Sequence, residues 1–133
     1  MDAKLKEQVR ERAGRRCEYC RLRMEDEIDA PFHIEHIIAR QHRGVSAEEN
    51  LALACMSCNL HKGTNLVSLD PDTNLPVRLF DPRKDAWDEH FRRSGAHILG
   101  ITDIGRTTAW LLQFNSDLNL LQRQAILEKH PLD

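Results

Sequence analysis

The chain has 133 residues, 41% hydrophobic and 30% charged, with a formal net charge of −2. That length suits one domain, residues 1–133, with a modest core, and the near-neutral charge argues against a nucleic-acid surface spread over the whole molecule. No apolar run approaches the roughly 18–20 residues that cross a bilayer, and Met1–Lys6 carries no apolar stretch behind its charges, so a membrane protein and a secretory signal are excluded and a cytoplasmic location is expected.

Leu5, Val9 and Ala13 recur at helical spacing, which predicts a helix over 3–14 with Gly14 at its end. A Cys-x-x-Cys turn, Cys17–Cys20, follows at once. Residues 21–31 are polar, acidic and closed by Pro31, as in a loop. The alternation in 32–38 predicts a short strand, and 41–44 a turn. Ser46 followed by Glu49 has the form of a capping box opening a helical turn. A second short strand is expected over 51–54 and a helix from Cys58 to Thr64. Beyond it, 66–69 and 75–80 flank Asp70-Pro71-Asp72-Thr73-Asn74 as a hairpin. Trp87 and Phe91 stand at helical spacing as core anchors. Residues 97–101 form a strand, Thr102 or Asp103 caps a helix to about Phe114, and 117–129 form a last helix with Leu118, Leu121, Ala125 and Ile126 along one stripe. The expected class is α+β.

The four cysteines fall in two pairs, Cys17/Cys20 and Cys55/Cys58, with 34 residues between the pairs. In a reducing compartment such pairs favour metal or redox chemistry over disulfides. Two Cys-x-x-Cys turns supply the four thiolates of a closed tetrahedral zinc site, which has no open position and is therefore structural. A thiol–disulfide oxidoreductase would need its Cys-x-x-Cys to open a helix in a βαβ unit, a pattern the chain lacks. Basic residues are not segregated by half: residues 1–63 hold 11 Lys/Arg against 11 Asp/Glu, and 64–133 hold 8 against 10. They bunch locally at Arg10–Arg16, Arg21–Arg23 and Arg40–Arg43, which leaves room for a basic patch.

Cys17-Glu18-Tyr19-Cys20, then His33-Ile34-Glu35-His36-Ile37, then Asn50-Leu51, then Cys55-Met56-Ser57-Cys58-Asn59-Leu60-His61-Lys62-Gly63 resembles the HNH endonuclease family over residues 17–63. The resemblance implies a ββα-metal core, two short antiparallel strands and a helix around one divalent cation, stapled by the zinc knuckle, with residues 64–133 as an extension. It implies cleavage of DNA phosphodiester bonds, with double-stranded DNA as the expected partner and 5′-phosphate and 3′-hydroxyl ends. By position in the motif, His36 is the general base and Asn50 orients it through the loop. Glu35 and Asn59 are ligands of a catalytic Mg²⁺ or Mn²⁺; if His61 ligates instead, Zn²⁺ or Ni²⁺ is the cation. Arg40, Arg43 and Lys62 would meet phosphates, with His42 in the same loop. Two features depart from the family's pattern. Glu35 stands where Asp or His is common, and Asn59 where His often stands. Successive strand residues also point to opposite faces, so Glu35 and His36 share one site only if the strand ends or twists between them. A non-catalytic zinc knuckle that binds nucleic acid or protein is the alternative, and a homodimer would enlarge the DNA-contacting surface.

Overall fold

In the computed structural model, which describes residues 1–133, the chain forms two compact units. One comprises residues 1–66 with 81–85, the other 67–80 with 86–133. Both are built from short helices and two-stranded antiparallel sheets, an α+β composition. No helix is long and apolar enough to cross a membrane.

The first unit opens with helix α1, Ala3–Arg12. Asp2 caps it, its carboxylate accepting from the Leu5 amide at 2.7 Å, and Arg10 and Arg12 complement the dipole at the other end. Gly14 and Arg15 then turn the chain with φ of 65° and 55°. Strand β1, His33–His36, pairs antiparallel with β2, Leu51–Ala54, in the register His33↔Ala54 to His36↔Leu51. Helix α2, Met56–Lys62, follows β2 after a single residue. Val9 of α1 meets Leu51 and Leu53 of β2 in a core ringed by Leu5, Met24, Phe32 and Ile34. Burying each of those three side chains contributes about 2 kcal/mol. Arg12 binds α1 to the same strand, donating to the Leu51 carbonyl at 2.6 Å and the Glu48 carbonyl at 2.8 Å. This arginine of the expected basic patch therefore works as a tie within the unit.

The second unit contains hairpin β3–β4, Val67–Leu69 with Pro76–Arg78, and a short helix α3, Trp87–His90. It continues with hairpin β5–β6, Phe91–Ser94 with His97–Gly100, and helices α4, Asp103–Leu111, and α5, Asp117–Leu127. Its core stacks Trp87, Phe80 and Phe114 around Phe91 at ring separations of 5.1, 5.3 and 5.5 Å. Arg123 is buried on α5 and donates to the Ala96 and Phe114 carbonyls. Two expectations fail here. Phe91 begins a strand rather than continuing a helix: along β5 burial alternates, with Phe91 buried, Arg92 exposed and Arg93 half-buried with its guanidinium over the Trp87 ring. The stripe Leu118/Leu121/Ala125/Ile126 is not the packed face of α5: Leu118 and Leu121 are 79% and 61% exposed, and Arg123 and Ile126 are the buried pair.

Asp70 is fully buried at the hairpin turn and held by Arg106 of α4, with Nη2 at 2.8 Å from Oδ2 and Nε at 3.3 Å from Oδ1. The guanidinium, helped by the Asp72 amide, holds the Asp70 carboxyl below its usual value of 3.8. The folded unit thus binds this proton less readily than the unfolded chain. The pair stabilises fully above the unfolded carboxyl's pKa, and that contribution fades as pH falls through the lower folded value. Thermal midpoints taken from pH 6 down to pH 2 should drop for the second unit, and Asp70→Asn should flatten the drop; an unchanged slope in the variant would assign acid sensitivity elsewhere.

Candidate functional site

The four cysteines converge from two loops. Cys17 and Cys20 lie in the turn after α1, and the amide of Cys17 donates to the Leu22 carbonyl at 2.8 Å. The Glu18 amide docks the same turn onto β2 through the Leu53 carbonyl at 2.9 Å, and the Glu18 carboxylate returns a bond from the Leu53 amide at 2.8 Å while pairing with Arg83. Cys55 is the N-cap of α2, its sulfur accepting from the Cys58 amide at 3.4 Å. That cap is why the helix starts at Met56 rather than at the expected Cys58. All four sulfurs lie within 4.8 Å of one another and all four residues are buried. The Cys20–Cys55 separation of 3.7 Å equals the edge, about 3.8 Å, of a tetrahedron with Zn–S bonds of about 2.3 Å. Contacts with the other three sulfurs, that of Cys17 foremost, and burial push the Cys58 thiol well up. Thiolates this crowded form together only around a cation. Donor type, spacing and burial all fit structural zinc.

His36 closes β1 opposite Leu51. Its Nε2 lies 2.8 Å from the Ser46 hydroxyl. Partial burial first, then Arg40 and the chain's amino terminus, hold the ring's pKa below the usual 6.5, so at neutral pH it is uncharged and can accept a proton. Ser46, expected to cap a helix, serves this ring instead; the one-turn 3₁₀ segment Glu48–Asn50 has Ala47 at its N-cap and no side-chain cap.

The loop after His36 is clipped by Asn50. Its amide nitrogen donates to the carbonyls of Ile38 and Val45, both at 2.9 Å, and its oxygen accepts from the Ile38 amide at 2.9 Å. Its backbone carbonyl accepts from the Ile37 amide at 2.9 Å. The clip fixes both ends of a short excursion, Arg40–His42 in a 3₁₀ turn and Arg43 at φ 68°. A Cβ on Gly44 would fall 1.7 Å from the Ile38 carbonyl oxygen and 2.9 Å from the Asn50 amide nitrogen. Gly44→Ala should therefore push the loop off the clip, costing about 1–3 kcal/mol. Chemical denaturation should register the loss, and an unchanged midpoint would mean that the loop moves freely.

Glu35 faces the other way. It is 5% exposed, its carboxylate accepts a bond from the Tyr19 hydroxyl, and Lys62 lies 3.3 Å from Oε2. Glu35 and His36 both pair with β2, at Ala52 and Leu51, and His36 is the last residue of β1; Glu35 is buried while His36 is half-buried. Lys62 is 2% exposed and donates to the Ile37 carbonyl at 2.9 Å; an ammonium so enclosed does not meet a phosphate. Arg40 and Arg43 remain on the loop surface. Asn59 and His61 flank the buried Cys58/Lys62 stripe of α2 on opposite edges, about 160° apart at 3.6 residues per turn, so one cation cannot take both. His61 directs Nδ1 to the Ser57 carbonyl at 2.8 Å, which leaves Nε2 toward solvent.

Tyr19, Ser46 and Glu18 went unrecognised as site residues. Tyr19 carried a signal: it is a large ring inside a metal-binding turn, and strand alternation turns Glu35 from His36 and calls for a buried partner.

Residues 17–65 match the family model for HNH endonuclease. No curated protein and no solved structure matches the chain. The four-cysteine cluster lies toward both ends of this matched segment and fits the zinc knuckle of an HNH-type domain, so residues 17–65 are similar to the HNH endonuclease family in both sequence and metal cluster.

Proposed function

We propose that this domain hydrolyses phosphodiester bonds in double-stranded DNA, with His36 as the general base. The observation that carries the reading is the setting of His36: bonded to the Ser46 hydroxyl at one nitrogen and followed by a clipped loop that presents Arg40 and Arg43, with partial burial and Arg40 holding the ring's pKa below its usual value. Backbone phosphates would lie against those two arginines, which orient the duplex. The free ring nitrogen would then take a proton from the attacking water. A hard divalent cation, Mg²⁺ or Mn²⁺, when bound, neutralises charge on the scissile phosphate and stabilises the leaving oxygen. Asn59 supports this reading as a protein ligand, its amide oxygen being of the hard type; few protein ligands suffice, because such cations keep water and substrate phosphates in their shells. His61 is the ligand if a softer Zn²⁺ or Ni²⁺ serves. Glu35 would join only by leaving Lys62 and Tyr19. The ββα-metal arrangement of β1, β2 and α2 belongs to this proposal, as do the 5′-phosphate and 3′-hydroxyl ends and a homodimer on DNA.

The test is cleavage by the zinc-loaded chain of supercoiled, linear, branched and single-stranded DNA with each cation in turn, followed by analysis of the ends. Cation-dependent cuts with 5′-phosphates are expected. A protein that binds DNA but cuts none of these would instead be a zinc-knuckle binding module.

A further inference from the structure

Behind β1, a carboxylate, an ammonium and a phenol lie together out of contact with solvent. Tyr19 is 0% exposed, Glu35 5% and Lys62 2%. They come from three elements: Tyr19 from the turn between the first two cysteines, Glu35 from β1, and Lys62 from the end of α2, four residues past Cys58. Tyr19 donates to Oε1 of Glu35, and Lys62 stands 3.3 Å from Oε2. Both carboxylate oxygens are thus engaged. A divalent cation bonded at Oε2, about 2 Å away, would sit within about 5 Å of the Lys62 ammonium among buried side chains, where charges are weakly screened. The Lys62 ammonium also donates to the Ile37 carbonyl at 2.9 Å, while the Ile37 amide is held by the Asn50 carbonyl at 2.9 Å. The residue after His36 is therefore fixed at both backbone groups, one by Asn50 and one by Lys62. Neither Lys62 nor Glu35 would be stable in this enclosure alone, since a buried charge stripped of its partner is strongly disfavoured.

We propose that Tyr19, Glu35 and Lys62 form an anchor that positions His36, with Glu35 serving not as a ligand of the catalytic cation but as the counter-charge holding Lys62 on the Ile37 carbonyl. Glu35 ties the zinc turn, β1 and α2 into one body, and its effect on the reaction passes through the backbone that carries the base. The kinetic part of this inference rests on the nuclease reading above.

The test uses the zinc-loaded full chain as wild type, Glu35→Gln, Lys62→Met and the double variant, with Tyr19→Phe as the mildest change. The readouts are the thermal midpoint, Mn²⁺ affinity by electron spin resonance, ¹⁵N shifts of the His36 ring and the Ile37 and Ile38 amides, and kcat and KM on supercoiled plasmid. The anchor predicts that both single variants displace the same shifts, and that the double variant is no worse than the poorer single one. It also predicts that kcat falls about tenfold with KM little changed, and that Mn²⁺ affinity stays within about twofold in every variant. Additive losses of stability, or a tenfold or greater loss of Mn²⁺ affinity confined to variants of Glu35, would overturn it and make Glu35 a ligand. If the wild type cuts no DNA, the nuclease reading fails, and the coupling seen in thermal midpoints and ring shifts still decides the anchor.

Discussion

Stripping zinc from the four-cysteine cluster is expected to unfold the first unit. A structural zinc contributes about 10–16 kcal/mol in small domains, comparable to or above the whole net stability of an average domain, about 5–15 kcal/mol. The unit depends on it by construction. The Cys17 turn is docked on β2 through Glu18, the Cys55 turn starts α2, and the apolar core between them centres on three residues, Val9, Leu51 and Leu53. Without the metal, four buried sulfurs are left in a cluster that cannot share ionised thiolates. Cys58→Ser should have the same effect, because Cys58 is 2% exposed and its sulfur has no solvent to turn to. Titration with a chromophoric chelator should release one zinc per chain while dispersed amide resonances of residues 1–66 collapse. A metal-free chain that keeps those resonances would show that the packing alone carries the fold.

His36→Ala is expected to lower the cleavage rate by about 10²–10⁴-fold, the usual contribution of a positioned general base, and to leave the thermal midpoint nearly unchanged. The ring is partly exposed and its side-chain hydrogen bond is to the Ser46 hydroxyl, so its loss opens no fully enclosed cavity and strands no buried charge. This separates it from the cysteines, whose replacement removes fold and activity together. Retained activity in His36→Ala would move the base to another residue; a collapse in stability would mean that the ring is structural.

Much of this architecture could be read from residue order. The alternation in 32–38 gave β1, Leu51–Ala54 gave β2, and the paired Cys-x-x-Cys turns gave the metal cluster, because ligand chemistry demands that spacing. The three backbone bonds of Asn50 could not be read from residue order, since they depend on the loop folding back from Ile38 to Val45. The misses have physical causes. Helix α2 starts early because a cysteine sulfur caps it, a role that propensities assign to Ser or Asp. Ser46 leaves its capping pattern because a tertiary partner, His36, outcompetes the local bond. Lys62 reads as a surface cation by composition, yet Glu35 draws it inside; pairing across 27 positions leaves no periodic trace. On α5 a leucine stripe faces solvent because Arg123, which finds carbonyls at Ala96 and Phe114, takes the buried face. The second unit offered secondary structure but no chemistry, and Asp70–Arg106 became visible only once the hairpin and α4 were placed.

In the proposed nuclease the zinc cluster is a staple and the chemistry belongs to His36 with a second, exchangeable cation. The most direct measurement is nicking of supercoiled plasmid by protein holding one zinc per chain, with and without added Mg²⁺ or Mn²⁺. No cutting is expected with zinc alone, rapid conversion to open circles when either cation is added, and loss of that conversion in His36→Ala. Equal cutting without the added cation, or by the His36→Ala protein, would contradict it.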